Sequence, residues 1–417
     1  MNQKTVVMVD VYSPSMRLAR AFMDRGYGVV RVQSTAEVPP VYKGAFDRAD
    51  FVNNIVYEGD FDSMIEAVAK HQPTAVLAGG ELGVELADRI SEALGLATNG
   101  TALSGARRNK FVQIEALKAA GLRGARQLLI PNEEELAAWH REIDGRVVVK
   151  PLRSAGNDGV FFCDTPEDST AAYRAVLEQT TIFAERNEAA VAQEYLIGTE
   201  YVVNTVSRDG KHRATDLWKY IKMSANGVRD RQAGVHLVPA DDPVRQELID
   251  YAFAVLDALG ILHGPAHLEV MMTQDGPCLV EVGSRICGAD KAYYAMLAAG
   301  ESQIEQTVDA FVDPERFLAQ HQRPYRVQRH VGIAWLTSPV TGTLRSYPLL
   351  DQVRELESFN NVSINVQPGQ QLPLTVNDLT EPMTIGLAHP VAAVVERDFT
   401  TLSYLDGPGF YEVEMAP

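Results

Sequence analysis

Residues 266–288, AHLEVMMTQDGPCLVEVGSRICG, read as two strands around a tight turn. Apolar residues flank Gln274-Asp275-Gly276 on both sides, and a three-residue loop with Gly last suits a type I turn followed by a left-handed residue. With that loop, Thr273 faces Pro277 and Glu269 lies opposite Glu281, their side chains roughly 5 Å apart on one face. His267 and Gly283 form the next pair, and Arg285 lies beyond. Two opposed carboxylates repel, so they call for a shared proton or a cation. Hard oxygens at that separation suit Mg²⁺, which takes one or two carboxylates and leaves its other positions to water and phosphate. A two-residue turn would instead put the acids on opposite faces. The hairpin taken alone therefore also admits a solvent-facing ribbon with two scattered acids.

The rest of the chain narrows the choice. Its 417 residues leave room for two to four domains and a large core. Composition is that of a globular protein, 46% hydrophobic and 22% charged. With 38 basic and 55 acidic residues the formal charge is −17, which argues against nucleic acid or an anionic membrane as the main partner. A nucleotide in a locally basic cleft stays compatible. The three cysteines, Cys163, Cys278 and Cys287, form no CxxC pair and suit a reducing compartment. Met1-Asn2-Gln3-Lys4 runs into a strand without a signal-peptide pattern, and no apolar run approaches the ~18 residues of a membrane span. A cytoplasmic protein is expected.

Thr5 to Asp10 reads as a buried strand, Ser13-Pro14 opens a helix to about Arg25, and Gly26 to Val32 is a second strand. Strand, helix, strand at this spacing predicts a parallel βαβ unit. Thr74 to Leu77 adds a strand and Gly80 to Leu94 a helix, so the first hundred residues form an open α/β domain. Its first turn, DVYSPSM, lacks the GxGxxG of a dinucleotide site. Glu81 lies at a strand end where such sheets bind ligands, though a helix-capping acid is the alternative reading. A helix from about Ala106 to Ala120 carries Lys110 near its start. In VVVKPLRSAGNDGVFFC a buried strand ends in Lys150, and the loop Ser154 to Gly159 has backbone N–H groups able to lie over phosphates. A flexible hairpin tip is the other reading of that loop. An inward ammonium at Lys150 needs an anion. Strands follow at Ala189 to Tyr195, Glu200 to Val206 and Ala214 to Tyr220, then a polar, mobile stretch Met223 to Gln232 and a helix Pro243 to Leu259. After the hairpin come helices near Ala289 to Ala299 and Ser302 to Phe311. From Pro324 short strands (Val327 to Leu336, Val362 to Val366, Met383 to Val395) predict a separate α+β domain without a chemical motif.

A Lys at a helix start, an apolar strand ending in Lys-Pro, a small-residue loop, the QEYLIGTE hinge and paired acids closed by EVGSR resemble, in that order, the ATP-grasp superfamily over residues 1–320. VDVYSPSMRLA, LAGGELGVELADRI and EVGSRICG are most similar to the bacterial L-amino acid ligases that form dipeptides, such as those of bacilysin and tabtoxin biosynthesis. The resemblance implies an α/β and α+β multidomain ATP-grasp fold. Residues 1–100 would be a Rossmann-like N-terminal domain, 101–192 linker helices and a lid subdomain, 193–323 the large subdomain, and 324–417 a small α+β domain. ATP and Mg²⁺, or Mn²⁺, are the implied cofactors, two amino acids the substrates, and a homodimer the implied assembly.

Position by position, Lys110 and Lys150 would bind the ATP phosphates, with Ser154, Gly156 and Gly159 in the covering loop. Gln193, Glu194 and Leu196 would line the adenine site and Glu200 would meet the ribose. Glu269 and Glu281 would hold the metal. Arg285 would bind the transferred phosphoryl group and the substrate carboxylate, and His236, Gly288, Ala289 and Glu81 would shape the amino-acid pocket. Arg285, Lys150 and Glu281 would be the catalytic set. Two positions depart from common patterns: Gly283 replaces the Asn of ExNxR, and Ala289 stands where relatives can carry a bulky residue. The expected reaction is ATP-dependent carboxylate–amine ligation through an acyl phosphate, with release of ADP and phosphate. A ligase for a non-amino-acid acid or acceptor, or a non-catalytic ATP-binding regulator, are the alternatives.

Overall fold

The computed structural model describes residues 3–12, 15–42 and 51–414. The N-terminal sheet is parallel, in the spatial order Asn53–Val56, Gly28–Gln33, Thr5–Val9, Pro73–Ala78. Val6 to Val9 are fully buried between two layers of helices, as an all-apolar parallel strand requires. The edge strand Asn53–Val56 and the helix Phe61–Ala69 add to the elements read from sequence. The first helix runs Met16–Asp24; the expected Ser13-Pro14 start lies outside the described residues. The helix expected from Gly80 is a 3-10 turn, Glu81–Gly83, followed by Val84–Ala93. A Cβ on Gly83 would come 2.6 Å from the Val9 carbonyl, so the turn lies tight on the sheet.

A second, antiparallel sheet has the order Gln127–Leu129, Ala190–Glu194, Val147–Pro151, Phe161–Cys163. The helices Glu133–Ile143 and Pro166–Glu178 cover it. Thr165 and Asp168 close a capping box at the second helix, with Pro166 at its first turn.

The largest sheet has eight strands: Gly276–Gly283, Gly264–Thr273, Gly198–Arg208, Lys211–Ala225, Val228–Leu237, His330–Trp335, Met383–His389 and Phe359–Ile364. The helices Lys110–Ala119 and Arg245–Ala258 pack on one face over Val203, Leu217, Leu268 and Val270. Burying each of these side chains contributes roughly 1.5–3 kcal/mol. The Met223 to Gln232 stretch, read as mobile, is instead the tip of a hairpin turning at Asn226-Gly227, both with positive φ. The C-terminal segment is not separate either. Gly234, Val235 and His236 pair with Ala334, Ile333 and Gly332, so its strands extend the eight-stranded sheet. The strand expected through Val395 ends at His389, and residues Ala392–Leu405 form a helix with Val395, Phe399 and Leu402 on its buried side.

Gly198 opens its strand opposite Thr273, where a Cβ would run into the Met272 carbonyl. Gly198→Ala should cost about 1–3 kcal/mol by forcing the two strands apart. Thermal denaturation measures it; an unchanged midpoint would contradict this packing.

Candidate active site

The acidic hairpin turns through two residues, Gln274 and Asp275, with Thr273 opposite Gly276, and not through the three-residue loop expected. Left uncorrected, that turn would put Glu269 and Glu281 on opposite faces. A β-bulge corrects it: Val270 pairs with Leu279, Val280 is extra, and Glu269 pairs with Glu281. The opposition of the two acids is therefore right, though the turn proposed for it is not.

Both carboxylates face a cavity of about 540 Å³ between the lid sheet and the eight-stranded sheet. Lys110, the first residue of its helix, donates from Nζ to the Ser154 carbonyl at 2.8 Å and forms an ion pair with Glu281 at 2.8 Å. One ammonium thus ties the covering loop to the acidic strand. Lys150 is buried; desolvation and then the Lys110 charge push its ammonium down to about 8. Against the cost of burial, Lys110 and Lys150 hold the Glu281 carboxyl down at about 2. Glu269 is shifted the other way, raised by burial and by Glu281. It accepts a hydrogen bond from the Tyr220 hydroxyl at 3.2 Å. The two facing carboxyls are thus driven to opposite charge preferences, as like charges sharing one site are.

The covering loop is built on left-handed residues, Gly156, Asn157 and Gly159. Ser154 Oγ donates to Asp158 Oδ2 at 2.6 Å, and Asn157 Nδ2 to Asp378 Oδ1 at 3.2 Å. Ser154 and Gly156 line the cavity, whereas Gly159 packs against Pro151 behind it. Gln193, Glu194 and Leu196 line the cleft between the sheets, beside Glu200, which pairs with Lys222. Gly288 and Ala289 form the wall next to Arg285, and Ala289 itself has φ +55°.

Arg285 is clamped by its neighbours. Its Nε donates to Glu81 Oε2 at 3.1 Å and its Nη1 to the Ile286 carbonyl at 3.0 Å. Arg108 holds the other Glu81 oxygen at 3.1 Å. Glu81 thus touches the cavity only through Arg285. The departure at Gly283 has a steric counterpart, since a Cβ there would lie 2.9 Å from Glu81 Oε2. The small residue leaves room for the acid that orients the arginine. His236 is the misplaced residue. It does not line the cavity; its ring packs at 4.7 Å on Phe399 of the C-terminal helix, and burial pushes it down to about 4.

Several lining residues were not singled out from the sequence: Tyr220, Lys222, Lys291, Trp335, Asp378 and Glu381. The last three belong to the segment expected to carry no chemistry. The Asn226-Gly227 turn signal could have placed Lys222 on a hairpin strand; nothing local marks Asp378 or Glu381.

Residues 143–292 match the ATP-grasp domain family. The chain is 32% identical to dapdiamide A synthase of Enterobacter agglomerans, over 97% of this chain and 99% of that one. It belongs to the ATP-grasp L-amino acid ligases. The ligase is also 25% identical to the L-arginine-specific L-amino acid ligase of Bacillus subtilis, over 56% of this chain and 54% of that one. In fold it is similar to an L-amino acid ligase from Bacillus licheniformis, with a TM-score of 0.77 at 17% identity, covering 99% and 100% of the two chains. It is an ATP-dependent, ADP-forming ligase. Among the described residues, no helix of the ligase is long and apolar enough to cross a membrane.

Proposed function

We propose that the ligase joins two L-amino acids, activating the carboxylate of one with the γ-phosphoryl group of ATP and capturing the acyl phosphate with the amine of the other. The observation that carries this reading is the meeting of Glu269, Glu281, Lys110, Lys150 and Arg285 in one cavity. A carboxylate is a poor electrophile, and phosphorylation gives its acyl carbon a good leaving group. Positioning and charge neutralisation then do most of the work, without a protein nucleophile. Lys110 and Lys150 neutralise the phosphates, and Arg285 the transferred group and the donor carboxylate. Glu194 and Leu196, with Gln193, hold the adenine, and Glu200 the ribose. The loop around Ser154 and Gly156 covers the phosphates and keeps water from the acyl phosphate.

Glu269 and Glu281 fit Mg²⁺, and Mn²⁺ equally, as hard ligands needing a cation between them. Among the described residues no cluster of three or more such side chains competes for a metal. Bound there, the metal would supply charge neutralisation for the phosphates.

The burial of Lys150 carries a pH dependence. Its ammonium attracts phosphate while protonated, and its proton is lost as pH rises through about 8. The KM for ATP should therefore be flat below pH 8 and rise above it. In Lys150→Arg, whose guanidinium stays charged, the rise should vanish. A KM for the unaltered ligase that stays constant to pH 9.5 would remove Lys150 from the phosphate site.

The reading as a whole is tested by phosphate release with ATP, Mg²⁺ and the twenty L-amino acids, singly and in pairs, with mass spectrometry of the products. Pair-dependent release with a dipeptide mass supports it. Silence across all pairs, with ATP still bound, would redirect it to a different acceptor.

A further inference from the structure

Most of the buried cations around the cavity have an anion beside them. Lys110 pairs with Glu281, Lys222 with Glu200, Arg285 with Glu81, and Arg231 with Glu381. Lys291 is an exception. It opens the helix Lys291–Ala299, is only 4% exposed and lines the cavity. Its Nζ sits 5.5 Å from the Tyr220 ring centre and 5.4 Å from that of Trp335. Among the described residues it makes no ion pair or hydrogen bond through that atom. Aromatic faces offset part of the cost of burying an ammonium but do not neutralise it. A buried cation without a direct ion pair favours a ligand that brings an anion to it.

Its place in the cavity says which anion. Lys150 sits in the strand Val147–Pro151 of the four-stranded antiparallel sheet, whereas Lys291 opens its helix and lies against the rings of Tyr220 and Trp335 on the eight-stranded sheet. The two lysines thus enter the cavity from different walls. Lys150 belongs to the phosphate side. Lys291 belongs to the end walled by Trp335, Asn361, Ser363 and Thr384, all from the C-terminal strands. Tyr294, one turn along the same helix, donates to Asn361 Oδ1 at 2.6 Å and fixes that wall.

Resting on the dipeptide-ligase reading, we propose that Lys291 binds the α-carboxylate of the second amino acid, the one that supplies the amine. The first amino acid loses its carboxylate to the acyl phosphate beside Arg285. The second keeps its carboxylate through both steps and carries it into the product as the new C-terminus. A fixed cation suits a charge that never changes. Burial pushes the Lys291 ammonium down, and a carboxylate seated against it works in the opposite direction.

The test uses amino-acid α-carboxamides, which have no α-carboxylate to activate and so, Asp and Glu apart, can act only as the second substrate. With the twenty L-amino acids and their carboxamides as probes, each acid should have a KM about 10- to 100-fold below its carboxamide, the value of one charge-assisted contact. Lys291→Met should raise the KM of the acid to that of the carboxamide while leaving the KM values of ATP and the first amino acid within about twofold. Lys291→Arg should restore part of the preference. Equal use of acid and carboxamide by the unaltered ligase would overturn the assignment, and so would a Lys291→Met effect falling on ATP or the first amino acid. Should the Met variant not fold, the comparison in the unaltered ligase and the Arg variant decide the matter. Dipeptide formation without discrimination removes this assignment alone; no dipeptide from any pair removes the ligase reading, and the assignment with it.

Discussion

Glu281→Ala is expected to reduce amino-acid-dependent ADP formation by about 10²–10³-fold or more, the scale of losing one preorganised electrostatic group. Glu281 pairs with Lys110, faces Glu269 and is held ionised, its carboxyl down at about 2. Its removal leaves Lys110 and Lys150 without their nearest common anion and takes away one of two candidate metal ligands. Glu281→Gln separates charge from shape, and it should be nearly as damaged as the alanine variant. Both should keep a cooperative thermal transition, because Glu281 lies in a cavity wall and not in the apolar core. Near-normal turnover in either variant would sink the assignment of this carboxylate to the metal.

Arg285→Ala should remove ligation by about 10³-fold or more, the scale seen when an arginine that stabilises phosphoryl-transfer charge is deleted. ATP binding should survive, since Lys110, Lys150 and the inter-sheet cleft are untouched. Arg285→Lys should not rescue it. The guanidinium uses Nε on Glu81 and Nη1 on the Ile286 carbonyl while lining the cavity, a division of contacts that a single ammonium cannot reproduce. A ligation rate unchanged in Arg285→Ala would mean that the acyl phosphate forms elsewhere.

The parts of this site that could be read from sequence are those whose signals are local. The acidic hairpin announces itself through apolar runs around an Asp-Gly turn, and Lys150 through its position at the end of a buried strand. The bulge at Val280 has no such signal. It lies in Gly276–Gly283 alone, since Gly264–Thr273 pairs with Gly198–Arg208 in an unbroken register. Likeness of position points His236 to the amino-acid pocket, but its strand turns that side chain towards Phe399. The C-terminal contribution was invisible for a different reason. Asp378 lies 109 positions beyond Glu269 in sequence, and it reaches the cavity through non-local strand pairing. Glu281 and Lys110 were each identified, yet their direct pairing is a fact of tertiary structure.

That continuous eight-stranded sheet limits how specificity in this protein can be exchanged. A chimera cut before His330 would break the pairing of Gly234, Val235 and His236 with Ala334, Ile333 and Gly332, and a poorly matched replacement would leave that strand edge open to self-association. Transplanting the whole C-terminal portion from a relative would also carry over its sheet register, which would have to match to the residue. Given the proposed second-substrate end, substrate choice is better exchanged in smaller parcels, by grafting side chains at Trp335, Asn361, Ser363 and Thr384, which line the cavity, onto an unbroken sheet. The same seam that makes the terminal portion unfit for wholesale swapping makes it a rigid platform for such grafts.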